Sequence, residues 1–330
     1  MLYIGHNASL NKLDGLHRLD DPRSWGPWLP KAEYLTQFQP VKAWELYILP
    51  HQLRPNAIEQ LAEAMRALSS HPLFAELDWL SFHFPTSPQA GQLSGEISQE
   101  KWRPFFWLLK VLDQFTGAKK KSLNFHILAE ATLLQVWRLD KEHKLAERLE
   151  NLTYESRQMV AEAYRLRDHV NPRLGLTVEN NPPYNNQAHA FHMAGLFPQE
   201  LRKWQLAGVD ICLDIQHASL VHWYRQAYGY DGPIPPMNAL RHRSQLADFA
   251  ELKPAYIHAA GAPNTPESLH VGSSIGADDD DVDWPTWLPA LKKSTVHQAT
   301  PIIIELVDGH LPTNWPACQT SANFLQPLLS

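Results

Sequence analysis

The sequence LGLTV at residues 174–178 is a short run of aliphatic and β-branched residues, and a carboxylate, Glu179, follows it directly. Runs of this kind recur, each followed by a polar turn and a longer segment whose apolar residues have helical spacing. That alternation is typical of a fold built from successive β-strands and α-helices. Eight such runs occur, at residues 2–4, 44–49, 79–84, 123–127, 174–178, 209–213, 255–258 and 301–305.

The segments between these runs predict helices at residues 56–69, 99–114, 145–167, 198–207, 245–252 and 284–294. Eight strands that alternate with helices predict a (β/α)8 TIM barrel, formed as a single domain over residues 1–330. An open nucleotide-binding sheet is disfavoured, because no glycine-rich phosphate loop follows the first strand. Residues 128–172 are more than one βα unit needs, so we expect an extra helical excursion between strands four and five.

Composition narrows the class of protein. Of 330 residues, 44% are hydrophobic and 19% are charged, which is the balance of a folded chain. The net charge of -6, with no basic run longer than residues 119–121, disfavours a nucleic-acid partner, although a local basic groove stays open. Only Cys212 and Cys318 are present, so neither a disulfide framework nor a CxxC metal site is expected.

The location of the protein is also an expectation from the sequence. No apolar run approaches the roughly 18–20 residues that cross a bilayer, and the first residues lack the basic start and apolar core of a signal peptide. We therefore expect a soluble, cytoplasmic protein without a membrane partner.

Ionisable residues follow one another at the ends of the predicted strands. In a (β/α)8 barrel the carboxyl ends of the strands converge on one rim, where reactive groups stand. Six consecutive strands end in a side chain able to bind a metal, and two further histidines follow strands six and seven. The candidate ligands are His83, His126, Glu179, Asp214, His217, His258, His270 and Glu305.

A set of this size favours a metal centre over isolated structural roles. Burying three carboxylates and five imidazoles together without cations would incur several kcal/mol of desolvation and like-charge repulsion. Divalent ions remove that cost. Nitrogen and carboxylate donors suit zinc, manganese or iron, whereas an all-oxygen magnesium or calcium site is the poorer match.

These residues resemble the xylose-isomerase-like TIM-barrel superfamily, and most closely its endonuclease IV-like branch. The similar segments run the length of the chain in order. They are YIGHNAS at 3–9, NFH at 124–126, VEN at 178–180, CLDIQHA at 212–218, YIH at 256–258 and IIE at 303–305.

The resemblance implies a centre of two or three divalent metal ions, Zn, Fe or Mn. Its first ion would be held by His83, His126 and Glu179, and its second by Glu179, Asp214, His258 and Glu305, with Glu179 bridging. A third ion would have only His217 and His270, because Ser268 stands where the branch has an aspartate. Asp278 or a neighbour would have to fold back to complete that third site.

The first function that the resemblance implies is metal-assisted hydrolysis of a phosphoester, in which two ions polarise the phosphoryl oxygens and generate hydroxide. Glu179, Glu305 and His217 are the expected catalytic residues. Asn180, Arg225, Arg241 and Arg243 are the candidate substrate-binding residues. The segments after His83 and Glu179 do not match the DNA-engaging loops of that branch, so abasic DNA is a disfavoured substrate.

Three alternatives stay open. The ligand layout also resembles that of multinuclear non-heme iron enzymes that oxidise a peptide or a small molecule, although those enzymes usually carry Asn at the position of His217. A sugar isomerase or epimerase would use one ion on Glu179, Asp214, His258 and Glu305, a glutamate to shuttle the proton and His217 to contact the sugar. That alternative leaves His83 and His126 unexplained. The last is a barrel that keeps a structural ion and binds a partner.

Overall fold

The strands form a closed parallel barrel, as the sequence predicts. The computed structural model describes residues 2–9, 28–38, 40–85, 99–127, 130–185, 190–192, 194–228, 248–249, 251–263, 272–295, 299–306 and 312–329. The barrel strands are β1 (Leu2–Ser9), β2 (Ala43–Tyr47), β3 (Trp79–His83), β4 (Lys120–His126), β6 (Gly175–Glu179), β9 (Asp210–Asp214), β10 (Tyr256–Ala259) and β11 (Thr300–Ile304). Their order is β1-β11-β10-β9-β6-β4-β3-β2, which confirms the (β/α)8 fold class.

Helices surround the barrel and three shorter strands lie outside it. The helices are α1 (Trp28–Thr36), α2 (Ile58–Ser69), α3 (Pro72–Ala75), α4 (Gln99–Asp113), α5 (Leu133–Lys141), α6 (Leu145–Val170), α7 (Pro198–Leu206), α8 (Ile215–Tyr228), α9 (Trp284–Ser294) and α10 (Trp315–Leu329). Strands β5 (Glu130–Thr132), β7 (Tyr184–Asn185) and β8 (Ala190–His192) form a separate small sheet in the order β5-β8-β7. None of the helices that the structure describes combines the length and hydrophobicity needed to span a membrane.

The segment between β4 and β6 contains β5, α5 and α6. Thr132 begins α5 with a capping box, in which its hydroxyl accepts the Gln135 N–H and the Gln135 side chain accepts the Thr132 N–H. The predicted helix over 145–167 is present as α6. The predicted helix over 245–252 lies largely outside the described residues, where only positions 248, 249, 251 and 252 have a defined place.

Side chains alternate between the inside and the outside of the barrel, because successive residues of a strand point to opposite faces. Outward residues such as Leu46 and Phe82 belong to the main hydrophobic core together with helix residues such as Met65 and Phe105. Inside the barrel, residues from five strands form a second apolar cluster. Its buried members are Ala43, Trp79, Cys212, Tyr256 and Ile303.

Gly5 lies where β1 faces this inner cluster, and no larger side chain fits there. A Cβ atom at this position would lie 2.6 Å from Ile303 Cδ1 and 2.7 Å from Ala43 Cβ. These contacts are shorter than packed carbon atoms tolerate, so a methyl group at this position overpacks the barrel.

We expect Gly5→Ala to lower the free energy of unfolding by about 1–3 kcal/mol, which is the usual cost of overpacking a core. Urea unfolding followed by circular dichroism measures the change. Gly175→Ala is the matched control on another barrel strand, because its Cβ would meet nothing closer than 3.2 Å. Equal losses in the two variants would contradict the steric explanation.

Strand register aligns the carboxyl ends that carry the ionisable residues. His126 on β4 is opposite Glu179 on β6, and Asp214 on β9 is opposite His258 on β10. Beyond β10, the acidic run at 278–281 forms a turn, and Asp283 caps α9 by accepting the Thr286 N–H at 3.1 Å. The barrel therefore presents its ionisable side chains together at one end.

Candidate metal centre

Six of the proposed ligands meet at the carboxyl ends of the barrel strands. Their donor atoms form two sets in which all atoms lie within 4.8 Å of one another. We call the first the His-pair group, formed by His83, His126 and Glu179, and the second the carboxylate group, formed by Glu179, Asp214, His258 and Glu305. Glu179 belongs to both, which is the arrangement that the resemblance implies for a bridging ligand.

Glu179 directs one carboxylate oxygen to each group. Its Oε2 lies 3.2 Å from Nε2 of His83 and 3.4 Å from Nε2 of His126, and it accepts a hydrogen bond from the Asn124 side-chain amide. Its Oε1 lies 3.2 Å from Nδ1 of His258. The side chain is buried, so these contacts replace its hydration.

Backbone and amide acceptors fix the protons of the two histidines in the His-pair group. Nδ1 of His83 lies 2.8 Å from the Phe84 carbonyl oxygen, and Nδ1 of His126 lies 2.8 Å from Oδ1 of Asn181. Each Nδ1 therefore donates, because a carbonyl oxygen only accepts. In the neutral rings, both Nε2 lone pairs then face the anionic Oε2 of Glu179. That arrangement is repulsive unless a cation, a proton or a metal ion, lies between them.

Asn181 connects the His-pair group to the chain around the small sheet. Its Nδ2 donates to the carbonyl oxygens of Ile127 at 2.7 Å and Ala194 at 2.8 Å, so Oδ1 must be the atom that faces His126. Ile127 follows β4, and Ala194 lies shortly after β8. One buried amide thus orients a candidate ligand and holds both chain segments.

Asn181→Ala leaves two buried carbonyl oxygens and the Nδ1 of His126 without a partner. Each such group costs about 1–3 kcal/mol, so we expect a loss of about 3 kcal/mol or more in unfolding free energy. We also expect weaker zinc binding, because the His126 ring is no longer held. Chemical denaturation and zinc titration measure the two effects, and Asn56→Ala, on the exposed surface, is the control. Wild-type zinc affinity in Asn181→Ala would contradict this role.

His258 lies among three carboxylates. Its Nδ1 is 2.7 Å from Glu305 Oε2 and 3.2 Å from Glu179 Oε1, while its Nε2 is 2.6 Å from Glu45 Oε2. Neither ring nitrogen has a partner in hydrogen-bond direction among the described residues, and the same holds for Oε2 of Glu45 and Glu305. Because an imidazole carries at most two protons, three carboxylates cannot each receive one. A divalent cation on the Nδ1 side fits this set.

The electrostatics of the carboxylate group lead to the same conclusion. Burial, reinforced by the Glu179 and Glu305 charges, raises the pKa of Asp214 well above its usual value. Burial also opposes ionisation of Glu305, but the neighbouring His258 cation lowers the pKa of that carboxyl to about 2. Without a metal ion, protons on Asp214 and His258 therefore offset the negative charge of the carboxylate group.

His217 stands beside the two groups and belongs to neither set of donor atoms. Its Nδ1 donates to the Asn180 carbonyl oxygen at 2.8 Å, and its backbone N–H donates to Asp214 Oδ1 at 2.7 Å. Asn180 in turn exchanges two hydrogen bonds with the backbone of Asp214. Both ends of the Asn180 side-chain amide are therefore engaged, and Nδ1 anchors the His217 ring.

Several candidate residues lie outside the described part of the chain. They are His270, Ser268, Arg241 and Arg243, and the side chain of Arg225 on α8 is outside it as well. Asp278 is exposed. Asp280 folds back instead, but its carboxylate accepts the N–H groups of Ala262, Gly276 and Val282 and the indole N–H of Trp284. That carboxylate stabilises a turn.

Sequence reasoning missed the residues that lie one layer beneath or beside the strand ends. Tyr47 donates its hydroxyl proton to Glu305 Oε1, and its ring stacks on His83 with the centroids 4.6 Å apart. The sequence indicates no metal-binding role for Cys212, but its thiol lies within 4.8 Å of donor atoms of Glu179 and His258. The period-two alternation of β2 and β9 could have predicted that these side chains point into the barrel.

Solved structures share this fold. A D-tagatose 3-epimerase-like protein is 15% identical, with a TM-score of 0.58 over 99% of this chain and 97% of its own. A xylose isomerase domain protein from Alicyclobacillus acidocaldarius subsp. acidocaldarius is 15% identical, with a TM-score of 0.53 over 99% and 98%. The IOLI protein, solved with a bound zinc atom, is 12% identical, with a TM-score of 0.55 over 99% and 98%. No family model and no curated protein matches the chain. The similarity shows the TIM-barrel fold.

Proposed function

We propose that this protein is a divalent-metal-dependent isomerase or epimerase that moves a proton next to the carbonyl group of a sugar or related polyhydroxylated compound. The observation that carries the proposal is the pair Glu179 and Glu305, whose carboxylates flank one histidine nitrogen at 3.2 and 2.7 Å. Asp214 completes the carboxylate group. The solved structures named above, described as epimerase-like, as a xylose isomerase domain and as zinc-bound, support it.

The carboxylate group would hold the ion. Its mixture of one imidazole and three carboxylates suits manganese, zinc or iron. When bound, a divalent ion would polarise a substrate carbonyl and make the neighbouring C–H bond more acidic. The residues fit a divalent ion because three carboxylates surround His258, and an imidazole has at most two protons to offer them.

The protein side chains divide the remaining tasks. The Glu305 side chain is 18% exposed, whereas that of Glu179 is 1% exposed, so substrate reaches Glu305 from the open end of the barrel. Glu305, ionised at neutral pH, is the base that takes the proton from carbon. Glu179 acts as the second acid: in its protonated form it returns a proton to carbon and becomes a carboxylate, while Glu305 keeps the proton that it removed. His217 would contact a substrate hydroxyl.

Deuterium exchange tests this proposal. Manganese-loaded protein would be incubated in D2O with a panel of aldopentoses, aldohexoses and ketohexoses, and the products analysed by NMR. We expect an isomer or epimer that carries deuterium at the carbon next to the carbonyl. Absence of exchange and of product across the panel would overturn the sugar proposal.

The His-pair group favours a second candidate. Two ions bridged by Glu179 could hydrolyse a phosphoester, in the manner implied by the resemblance to endonuclease IV, or, as iron, oxidise a peptide or small molecule. Its specific observation is the pair of Nε2 lone pairs that converge on Glu179 Oε2. A mononuclear isomerase does not use these atoms.

A double variant, His83→Ala with His126→Ala, separates the two candidates. For the mononuclear isomerase, we expect one ion per chain to remain bound and proton exchange to stay within about tenfold, since the carboxylate group is intact. Elemental analysis and the D2O assay measure both quantities. Loss of a phosphoesterase or oxygen-consuming activity in the double variant, with no proton exchange in the wild type, would instead favour a dinuclear enzyme.

A further inference from the structure

Glu45 is a fully buried carboxylate on β2, one layer beneath the carboxylate group. Its Oε2 lies 2.6 Å from Nε2 of His258, and its Oε1 accepts the hydroxyl proton of Tyr256 at 2.9 Å. An isolated carboxylate in the barrel interior would cost several kcal/mol in desolvation. A function that depends on its charge accounts for its presence.

The hydrogen bonds around Glu45 have a fixed direction. Ser81 Oγ donates to the Tyr256 hydroxyl oxygen at 2.9 Å, so the single proton of Tyr256 is free to go to Glu45 Oε1. Oε2 is then the carboxylate oxygen that Glu45 offers to His258.

We propose that Glu45 is a positioning residue that, in the metal-loaded protein, accepts a hydrogen bond from Nε2–H of His258 and thereby presents Nδ1 as the metal-binding atom. Metal-binding histidines generally donate their second ring N–H to a carboxylate or carbonyl, which fixes the ring and its tautomer. His83 and His126 use Phe84 and Asn181 in this way and present Nε2. His258 has the opposite orientation, because its carboxylate partner lies deeper in the barrel.

This inference rests on the metal centre of the proposed function and does not depend on the substrate. Glu45→Gln is the test. If the glutamine NH2 group donates to Nε2, the single proton of the neutral ring must lie on Nδ1, and Nδ1 can no longer bind a metal ion. We expect the dissociation constant for zinc to rise about 10–100-fold. Zinc titration of purified full-length protein gives this value, and Glu59→Gln, the same change on an exposed position of α2, is the matched control.

Histidine NMR provides a readout that a structural role alone does not change. In zinc-loaded wild-type protein labelled with 15N-histidine, we expect one ring with zinc on Nδ1 and a slowly exchanging Nε2 proton. That proton signal should be lost in Glu45→Gln. Tyr256→Phe keeps the Glu45 carboxyl group but removes its hydrogen-bond donor, and it should weaken zinc binding only a few-fold. This variant replaces Glu45→Gln in the test if Glu45→Gln does not fold.

The outcomes separate the inference from the proposed function. Unchanged zinc affinity and an unchanged Nε2 signal in Glu45→Gln overturn the role of Glu45 alone. Zinc binding that depends on Glu45, in a protein without proton exchange on any sugar, supports Glu45 and overturns the sugar activity. A wild-type chain that binds no zinc overturns both.

Discussion

Glu179→Gln is expected to remove metal from at least one group and to lower turnover about 10³-fold, the range for loss of an acid or base in catalysis. A glutamine presents one oxygen and one NH2 group, whereas both carboxylate oxygens of Glu179 face nitrogen atoms of histidines. In either amide orientation, the NH2 group points into one of the two groups and cannot bind an ion there.

Elemental analysis and the D2O exchange assay measure this variant. Glu142→Gln is the control, because it makes the same change at a carboxylate that is 56% exposed. Thermal melting checks that the variant is folded. Full metal content together with full exchange activity would show that Glu179 is not a ligand and would contradict both candidate functions.

Withdrawal of the metal is expected to have the largest effect on stability. An ion that binds only the folded chain adds about 4 kcal/mol when its free concentration is a thousand times its Kd. Its removal also leaves ligand atoms of Glu179, Asp214 and Glu305 within 4.8 Å of one another without a metal ion. We therefore expect chelation to lower the melting temperature by several degrees.

This loss should increase with pH. In the metal-free chain, burial opposes protonation of His258 and His83, but the surrounding acidic groups hold the pKa of both above the usual value, for His258 well above it. Protonation thus stabilises the fold fully below the unfolded pKa of about 6.5, and this stabilisation is lost as the pH rises through the raised folded pKa. Calorimetry at pH 6 and pH 9, with and without chelator, measures the gap. Glu179→Gln is the control, and we expect its melting temperature to change less on chelation. A wild-type melting temperature that chelation leaves unchanged at both pH values would argue against the metal centre.

The barrel and the rim could be predicted because both depend on local patterns. Apolar runs such as 174–178 alternate regularly with helices, and parallel strands bring their carboxyl ends to one rim whatever the loops do. The small sheet could not be predicted, since β5, β7 and β8 have only two or three residues each. Runs that short carry no periodicity.

The candidate site was predicted at the strand ends and missed one layer below them. Counting back two residues from His258 reaches Tyr256, and two from Tyr47 reaches Glu45, so period-two alternation could have revealed both. The role of Asn181 could not be found in this way. It depends on the Ile127 and Ala194 carbonyl oxygens, which are placed by the tertiary fold and have no sequence signature.

The seam between β1 and β11, whose register pairs Leu2 with Thr300, is expected to close late in folding. Contacts between residues so distant in the chain form late, because closing a long loop costs entropy before the contact repays it. Glu305 directly follows β11, and Glu45 lies on β2, the other neighbour of β1. Glu45 therefore reaches His258 only when the seam closes, so we expect metal binding in a stopped-flow refolding experiment to reach its full affinity in the last kinetic step of folding.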